Sequence, residues 1–524
     1  MDFDIKKLCE RFDKLKADRS NFELLWQKVA DFVMPTKGNF NVKRTPGEAN
    51  TQRIFDSTPT TSVNLLAAGL HGMITNPSVQ WFNLSLNEDL DGQEGNTWLS
   101  DVRDILLKEI NRPQAGFATN IHEVYQDLAL FGTGCLFVKW DSVNEHLQFQ
   151  SIPLNQVYIE EDYVGNISSV YRCFELNERQ LEEMFGQDVI PYSILTCKEE
   201  NKKYKVLHYV FKDKTLKEKK YKSLYFLYEE AELLSESAYW EMPYMIVRWS
   251  KSPDELYGRS PAIDELPDIM MLQEMMKETL IATQLANRPP LLVPNDDSYS
   301  PIDIYPNSII RYRNGQAPQP LSLATQPNIL MSMLQDLRDR IRTAMYNDQV
   351  IFSQRSGVTA TEIQEQVNAK MRLLMPIFGR LGTDLLGPMI ERVYGLLDRQ
   401  GYIPEPPSEV EGEVRIEYTS LMAIAQKSSE LVKYNEAIAI ASPFINMNPA
   451  IAQYIDGEKV LRNIFTSYNL GESVKDHQVI EDEQAAEQEA TQTSQDLANQ
   501  QVLAQINQTN AQTQALQRQT PMSM

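Results

Sequence analysis

Ser260-Pro261-Ala262-Ile263-Asp264-Glu265-Leu266-Pro267-Asp268, continuing without a breaker to Asn287, opens the stretch on which the fold turns. Ser260 before Pro261 predicts an N-cap with proline at the first helical position. Pro267 predicts a kink or restart, and Arg288-Pro289-Pro290 a stop. A second helix is expected after Pro327, with Asn328 as cap and Leu330, Met333, Leu334, Leu337, Ile341 and Met345 at helical spacing as far as Tyr346. Each helix is about 20 residues, so ~30 Å long. Between them lie Pro289, Pro290, Pro294, Pro301, Pro306, Pro318, Pro320 and Pro327. That density forbids a helix but admits short edge strands at Leu291-Leu292-Val293 and Ile309-Ile310-Arg311-Tyr312. Two matched rods with a small non-helical module at their far end are therefore expected. Periodicity alone favours a plainer reading, an antiparallel helical pair with a long loop.

Composition narrows the class. With 524 residues, 42% of them hydrophobic, the chain can fold into several domains with ample core. A net charge of −22 argues against tight, general nucleic-acid binding, which rests on Lys and Arg meeting phosphate. It leaves open DNA passing nearby without sticking. Cys9, Cys135, Cys173 and Cys197 form no CxxC pair, which points to a reducing compartment without a disulfide framework or zinc site. Met1-Asp2-Phe3-Asp4-Ile5-Lys6 starts an amphipathic helix rather than a signal peptide, and no apolar run is long enough to span a bilayer.

Outward from the helix pair, Ile5, Leu8, Phe12, Leu15, Phe22, Leu25, Trp26, Val29 and Phe32 form one helical stripe ending before Pro35. Asp56-Ser57-Thr58-Pro59 opens a helix that stops at Asn76-Pro77, and Thr97 to Ile110 and Ala118 to Leu130 predict two more. From Phe131 the texture becomes β-branched and aromatic: Cys135 to Trp140, Leu147 to Gln150, Ser169 to Phe174, Tyr204 to Phe211, Tyr225 to Tyr228 and Tyr244 to Trp249, with a short helix at Asn177 to Phe185. The first half is thus a mixed α+β body.

After Tyr346, Gln349 to Val358 predicts a loop. Thr359-Ala360-Thr361-Glu362 fits a capping box, opening a helix through Leu396 to Gly401. Pro376 and Gly387-Pro388 should kink it. Glu413 to Tyr418 predicts a strand, and Leu421 to Ala441 and Asn448 to Tyr468 helices. From Glu481 the Gln-, Ala-, Thr- and Asn-rich tail is either disordered or a polar helix that orders only in an assembly.

Catalytic signatures are missing: no GxxxxGK[ST], HExxH or GxSxG. The five histidines show no ligand spacing. Phe131-Gly132-Thr133-Gly134 precedes a strand and reads as a tight turn, and Asp89-Leu90-Asp91-Gly92 lacks the remaining ligands of a calcium loop. Met270, Met271, Met275 and Met276 read as core or subunit-interface filler. Arg338 and Arg342 share a helix face among Asp336, Asp339 and Arg340, as solvated charge ladders do.

Several stretches carry a resemblance to a family. They are Asp56-Ser57-Thr58 with Leu66-Ala67-Ala68-Gly69-Leu70-His71-Gly72-Met73, Asn76-Pro77 through Trp81-Phe82, Phe131-Gly132-Thr133-Gly134, Tyr257-Gly258-Arg259-Ser260-Pro261-Ala262 with Leu266-Pro267-Asp268-Ile269, and Thr359-Ala360-Thr361-Glu362 with Gly379-Arg380-Leu381. In this order, over about Met1 to Gly401, the chain resembles the head-to-tail connector, or portal, proteins of short-tailed tailed bacteriophages.

The resemblance implies an α+β portal fold and a ring, usually of twelve copies, at one capsid vertex. Residues 1–259 would be the wing, 260–287 and 328–348 the stem helices, and 288–327 the clip. Residues 349–358 would be the tunnel loop, 359–419 the kinked helix returning to the wing, 420–480 a helical crown and 481–524 a disordered or barrel-forming tail. Gln349, Ile351, Phe352, Gln354, Arg355 and Gly357 would line the channel, Arg338 and Arg342 could face it from the stem, and Arg311 and Arg313 would serve docking at the clip. Implied partners are the terminase packaging motor, tail adaptors, major capsid and scaffolding proteins, and transient, non-specific double-stranded DNA. No catalysis, cofactor, metal or membrane is implied, and the place is the virion, after assembly in the host cytoplasm. Twelve chains would carry roughly −260 formal charges, so the wall would repel DNA rather than adsorb it. The reading from another class is a soluble multidomain enzyme with an unrecognised active site; a weaker third is another neck ring component.

Overall fold

In the computed structural model, helices α1 (Ile5–Asp18) and α2 (Ser20–Val33) divide what the sequence presents as one stripe. Arg19 makes the break. Its buried guanidinium donates to the carbonyls of Leu154 (3.0 Å), Asn155 (3.1 Å) and Val157 (2.5 Å), with Glu23 as counter-ion. A buried cation persists only when paired and hydrogen-bonded, and here both conditions hold. The structure describes residues 4–42, 45, 47–48, 50–85, 93–195, 202–213, 215, 219–288, 291–294, 305–306, 308–312, 319–320, 327–350, 373–407, 415–417 and 511. The chain divides into units Met1–Met422 and Ala423–Met524, and almost all described residues belong to the first.

Helix α3 (Thr58–Ile74), strand β1 (Asn83–Ser85), helix α4 (Gln93–Ile110) and helix α5 (Phe117–Phe131) follow, close to the expected spans. The strands are β2 (Thr133–Asp141), β3 (His146–Ser151), β4 (Val157–Glu161), β5 (Ile167–Asn177), β6 (Lys203–Lys212), β7 (Tyr221–Leu227), β8 (Leu233–Tyr239) and β9 (Tyr244–Arg248). Helices α6 (Glu178–Phe185) and α7 (Tyr192–Leu195) fall between β5 and β6. Two antiparallel sheets result, ordered β3-β2-β9 and β4-β5-β6-β7-β8. Strand β2 is buried from Thr133 to Val138, which matches its almost unbroken apolar run and central place.

Alternation along β6 sets what covers the larger sheet. Leu207 and Tyr209 pack with Phe12 of α1, whereas Tyr204 and Val206 pack with Leu181 of α6 and Ile194 of α7. The main core joins α2 to α5, the three-stranded sheet and the roots of the later helices, around Trp26, Phe82, Tyr125 and Phe131. Asn177 caps α6 in a capping box closed by Gln180.

Helices α8 (Pro261–Asp264) and α9 (Leu266–Asn287) realise the restart expected at Pro267. Strands β10 (Leu291–Pro294), β11 (Ile309–Tyr312) and β12 (Gln319–Pro320) form a small sheet in which β10 pairs parallel to β11 and antiparallel to β12. Helix α10 (Pro327–Ala344) is followed by Tyr346 at φ +56° and by α11 (Asn347–Val350). Residues 373–380 are helical. A π-helical turn, Leu381–Leu386, then leads into α12 (Gly387–Arg399). The kink expected at Gly387-Pro388 is thus a widened turn: proline has no N–H to give, and the π-turn accommodates the gap. Strand β13 (Arg415–Glu417) pairs antiparallel with β1. The fold is mixed α+β with antiparallel sheets. The expected capping box at Thr359, the Asp89 turn, the helices at Leu421 to Ala441 and Asn448 to Tyr468, and the tail apart from Ala511 lie outside the described residues.

Candidate functional site

Two of the glycine motifs meet. Gly132 ends α5 at φ +78°, a conformation L side chains avoid, and a Cβ there would lie 2.5 Å from the Arg259 carbonyl carbon. A Cβ on Gly258 would run into the Gly132 carbonyl, and one on Gly134 would lie 2.8 Å from Val124 Cγ1. Around this contact the Gly258 N–H donates to Thr133 Oγ1 (2.9 Å) and the Trp249 N–H to the Gly132 carbonyl (2.9 Å). Ser260 serves twice: its hydroxyl accepts from the Ile263 N–H (3.1 Å), capping α8, and donates to the Leu130 carbonyl (2.8 Å). The start of the helix pair is therefore fixed to the end of α5 and the start of β2.

Both helices of the pair also grip the loop before α3. Gln273 of α9 accepts from the N–H groups of Phe55 (2.7 Å) and Asp56 (2.8 Å) and donates to the Asp56 carbonyl (2.8 Å). Arg338 of α10 forks onto the buried Asp56 carboxylate at 2.8 Å. Burial alone would raise the Asp56 carboxyl; its bonds from Thr58 and the Arg338 guanidinium outweigh that and hold it below the usual value. Asn347, oriented to donate to the carbonyls of Ser62 (3.1 Å) and Met345 (3.2 Å), accepts from the Ser62 hydroxyl (2.8 Å). The motif Asp56-Ser57-Thr58 is thus the socket of the helix pair.

Beyond this root the pair is less covered. α9 buries Leu266, Ile269, Leu272 and Gln273, all near its start, while Met271, Leu280 and Ile281 are 40–49% exposed. On α10, Leu334, Leu337 and Ile341 are buried, and Met331 and Met333 are 55% and 51% exposed. Of the methionine cluster, Met270, Met275 and Met276 pack on the core and Met271 does not. Arg342 bonds Asp339 (3.1 Å) and is 45% exposed, and Arg340 bonds Asp336 (2.8 Å). Arg338, by contrast, is committed to Asp56.

Of the other singled-out residues, Gln349 has its backbone in α11, a helical turn where a loop was expected. Arg311 lies in β11. Ile351, Phe352, Gln354, Arg355, Gly357 and Arg313 lie outside the described residues. Among the described site residues, the structure brings Arg338 to Asp56, while Arg342 bonds Asp339.

A second anchor went unseen in the sequence. Glu241, between β8 and β9, receives Arg399 through both oxygens (2.8 Å each) and Arg392 at 2.9 Å. Arg392 is buried, and its guanidinium lies over the Tyr239 ring at 5.0 Å. Burial lowers the Arg392 pKa despite Glu241. Gly395 makes room, since a Cβ there would lie 2.9 Å from Glu241 Cδ. The available signal was this glycine inside an apolar helix, which usually marks close packing.

Three of the described histidines make structural contacts. His208 is buried between the hydroxyls of Tyr244 (2.6 Å) and Ser223 (2.9 Å) and stacks on Tyr225 at 3.8 Å. His71 and His122 face each other at 6.2 Å. Cys9, Cys135 and Cys173 are free thiols, and Cys197 lies outside the described residues. Among the described residues no cluster of three His, Cys, Asp or Glu side chains could hold a metal ion, and no helix is long and apolar enough to cross a membrane.

A helix pair socketed in an α+β body, tipped by a three-stranded module and followed by a clamped, kinked helix, is a structural device, and the sequence places it. Residues 5–474 match the bacteriophage head to tail connecting proteins, and the chain belongs to that family. It is 25% identical over 480 residues to the probable portal protein of Bordetella phage BPP-1, covering 87% of this chain and 85% of that protein. It is also 25% identical over 483 residues to the portal protein of Salmonella phage epsilon15, covering 87% and 86%.

Proposed function

We infer that this chain is a phage portal protein, a structural ring that admits and releases the genome at a capsid vertex and performs no catalysis of its own. The observation that carries this is family membership across residues 5–474, with two portal relatives each covering 87% of the chain. The family membership and the portal relatives favour this reading over the enzyme alternative. The protein is a virion component.

The finer assignments are proposals. Residues 1–259 serve as wing, α9 and α10 as stem, and 288–327 as clip, where the packaging motor and then tail adaptors dock with Arg311 and Arg313. Residues 349–358 form the tunnel loop, 359–419 the return to the wing, and 420–524 the crown and tail. Twelve copies close the ring, which is assembled in the host cytoplasm with capsid and scaffolding proteins. The exposed apolar side chains of α9 and α10 support subunit contact along the stem. Exposed Arg342 is the stem arginine suited to a channel wall, and Arg338 serves the socket.

In an infection lacking this chain, the expected product is empty shells; DNA-filled heads would overturn the portal reading. Complementation with Arg355→Ala, or with residues 353–357 deleted, should give normal proheads and fewer filled heads. Arg355 is the one charge in the loop, and a single arginine–phosphate contact per subunit is weak and salt-screened. Normal yields of infectious particles from both variants would remove the loop from the mechanism.

A further inference from the structure

The turn between β4 and β5 holds two apolar side chains out in solvent on a tied backbone. Tyr163 is fully exposed and Val164 is 64% exposed. Beneath them the Asp162 N–H donates to the Asn166 carbonyl (2.8 Å) and the Gly165 N–H to the Asp162 carbonyl (3.1 Å). The Asp162 carboxylate accepts from the N–H groups of Val164 (3.0 Å) and Asn166 (2.9 Å). Gly165 closes the turn at φ +95°, and its carbonyl accepts from Arg248 (3.3 Å). Glu161, at the base, binds Arg248 and takes Lys251 on both oxygens (2.6 and 2.7 Å). An aromatic side chain presented on such a backbone loses little entropy when a partner covers it.

A cleft of complementary character lies elsewhere on the body. It is lined by Ile105 of α4 and by Tyr402, Ile403 and Pro404 beyond α12, with Asp101 and Lys108 among its polar groups. Ile105 and Ile403 are half-buried, and Tyr402 and Pro404 are exposed. The wall is preformed: the Tyr402 N–H donates to the Leu397 carbonyl (3.0 Å), Trp98 Nε1 donates to the Pro404 carbonyl (3.0 Å), and the Tyr402 ring packs on Trp140 at 5.6 Å. Strand β2 measures the separation of turn and cleft. Its first residue, Thr133, pairs with Arg248, which holds the turn, whereas Trp140 near its other end holds the cleft. Seven residues of strand set these two points about 23 Å apart along β2.

We propose that the Tyr163–Val164 turn of one copy docks in the cleft lined by Ile105, Tyr402, Ile403 and Pro404 on the next copy, a subunit contact made outside the helix pair. The inference rests on the portal reading above and names the surfaces by which the body takes part in closure. Head-to-tail closure requires two different surfaces set apart on one chain, and knob and cleft are such a pair. Charge also favours a second copy as the occupant. Copies of a chain of −22 repel one another, yet the acids at the base of the turn, Glu161 and Asp162, are matched in number by Arg248 and Lys251. The turn therefore approaches its neighbour without adding like charge. In the cleft the Tyr163 ring covers apolar surface, and its hydroxyl finds an acceptor in Asp101, which is exposed at the rim.

The test places p-benzoylphenylalanine at Tyr163 in the full-length chain, irradiates purified rings and maps the cross-links by mass spectrometry. Adducts between chains at residues 101–108 or 401–404 are expected. Tyr163→Ala and Ile105→Asp should each weaken ring formation about tenfold, read from the concentration at half assembly, because buried aromatic anchors carry much of an interface's energy. Tyr163→Phe, which keeps the ring and loses the hydroxyl, should fall between the parent and the alanine variant. Circular dichroism of Tyr163→Ala should match the parent, since the side chain it removes is fully exposed within the subunit. Rings whose adducts fall elsewhere or do not form, or rings of Tyr163→Ala that assemble at the parent's concentration, would overturn the proposal while leaving the portal reading intact. Adducts in proheads to a different protein, with none between copies, would overturn it too and assign the turn to that partner. Failure of the parent chain to form rings would instead remove the portal reading, and this proposal with it.

Discussion

At the scale of single residues, Asp56 is the most exacting position. Its carboxylate, backbone N–H and carbonyl are all engaged, two of the three by Gln273 and the third by Arg338 and Thr58. Asp56→Ala should cost about 3 kcal/mol, because Arg338 is left partly buried without its counter-ion. Urea denaturation with an Asp56→Asn/Arg338→Met double-mutant cycle measures the coupling. The carboxyl's folded pKa lies below its unfolded one, so this contribution is complete above the ordinary carboxylate value and is lost as pH falls through the lower, folded value. Gly132→Ala and Gly258→Ala should each destabilise by about 2–4 kcal/mol through backbone collision. His208 works at another pH. Burial holds its imidazole neutral, well below the ordinary value, while the unfolded chain takes up a proton below about pH 6.5. Its share of stability is whole above that pH and declines below it. A thermal midpoint that falls from pH 7 to 5, and falls less in His208→Gln, is the expected outcome.

At the scale of elements, the chain is anchored on both sides of the expected tunnel loop: Asn347 holds to α3 and α12 holds to Glu241. Glu241→Gln should cost about 1–3 kcal/mol, discounted for the exposure of Arg399 and Glu241, and Gly395→Ala should match it by forcing the same pair apart. A urea series compares them directly. Elements also show what the sequence could and could not disclose. The helix pair was legible because Ser260-Pro261, Pro267 and Arg288-Pro289-Pro290 punctuate it locally, and β10 and β11 because apolar triplets stand out among prolines, although β10 is not the edge strand expected but lies between β11 and β12. The split at Arg19 was not, since the carbonyls that draw it in lie 135 residues away. The Glu241 clamp spans 151 residues and left only Gly395 as a trace. Strand β8 was missed because Leu233-Leu234-Ser235-Glu236-Ser237-Ala238-Tyr239 is half polar, as an edge strand can be, and pairing with β7 decides its state. Arg338 looked like part of a solvated ladder because its partner, Asp56, is 282 residues distant.

At the scale of the whole molecule, a chain of −22 that closes on copies of itself must gain enough from apolar contact to outweigh repulsion between like-charged neighbours. The exposed Leu280, Ile281, Met331 and Met333 of the helix pair are where that contact is expected, so changing Leu280 and Ile281 to Asp should block assembly while leaving the monomer folded, as judged by sizing and circular dichroism. Removing residues 481–524, which carry few apolar side chains, should leave closure intact; loss of the ring on truncation would show that the tail supplies an interface. The most direct measurement is native mass spectrometry of the purified chain, supported by cryo-microscopy. Closed rings of about twelve subunits are predicted, and a stable monomer at micromolar concentration would contradict the account.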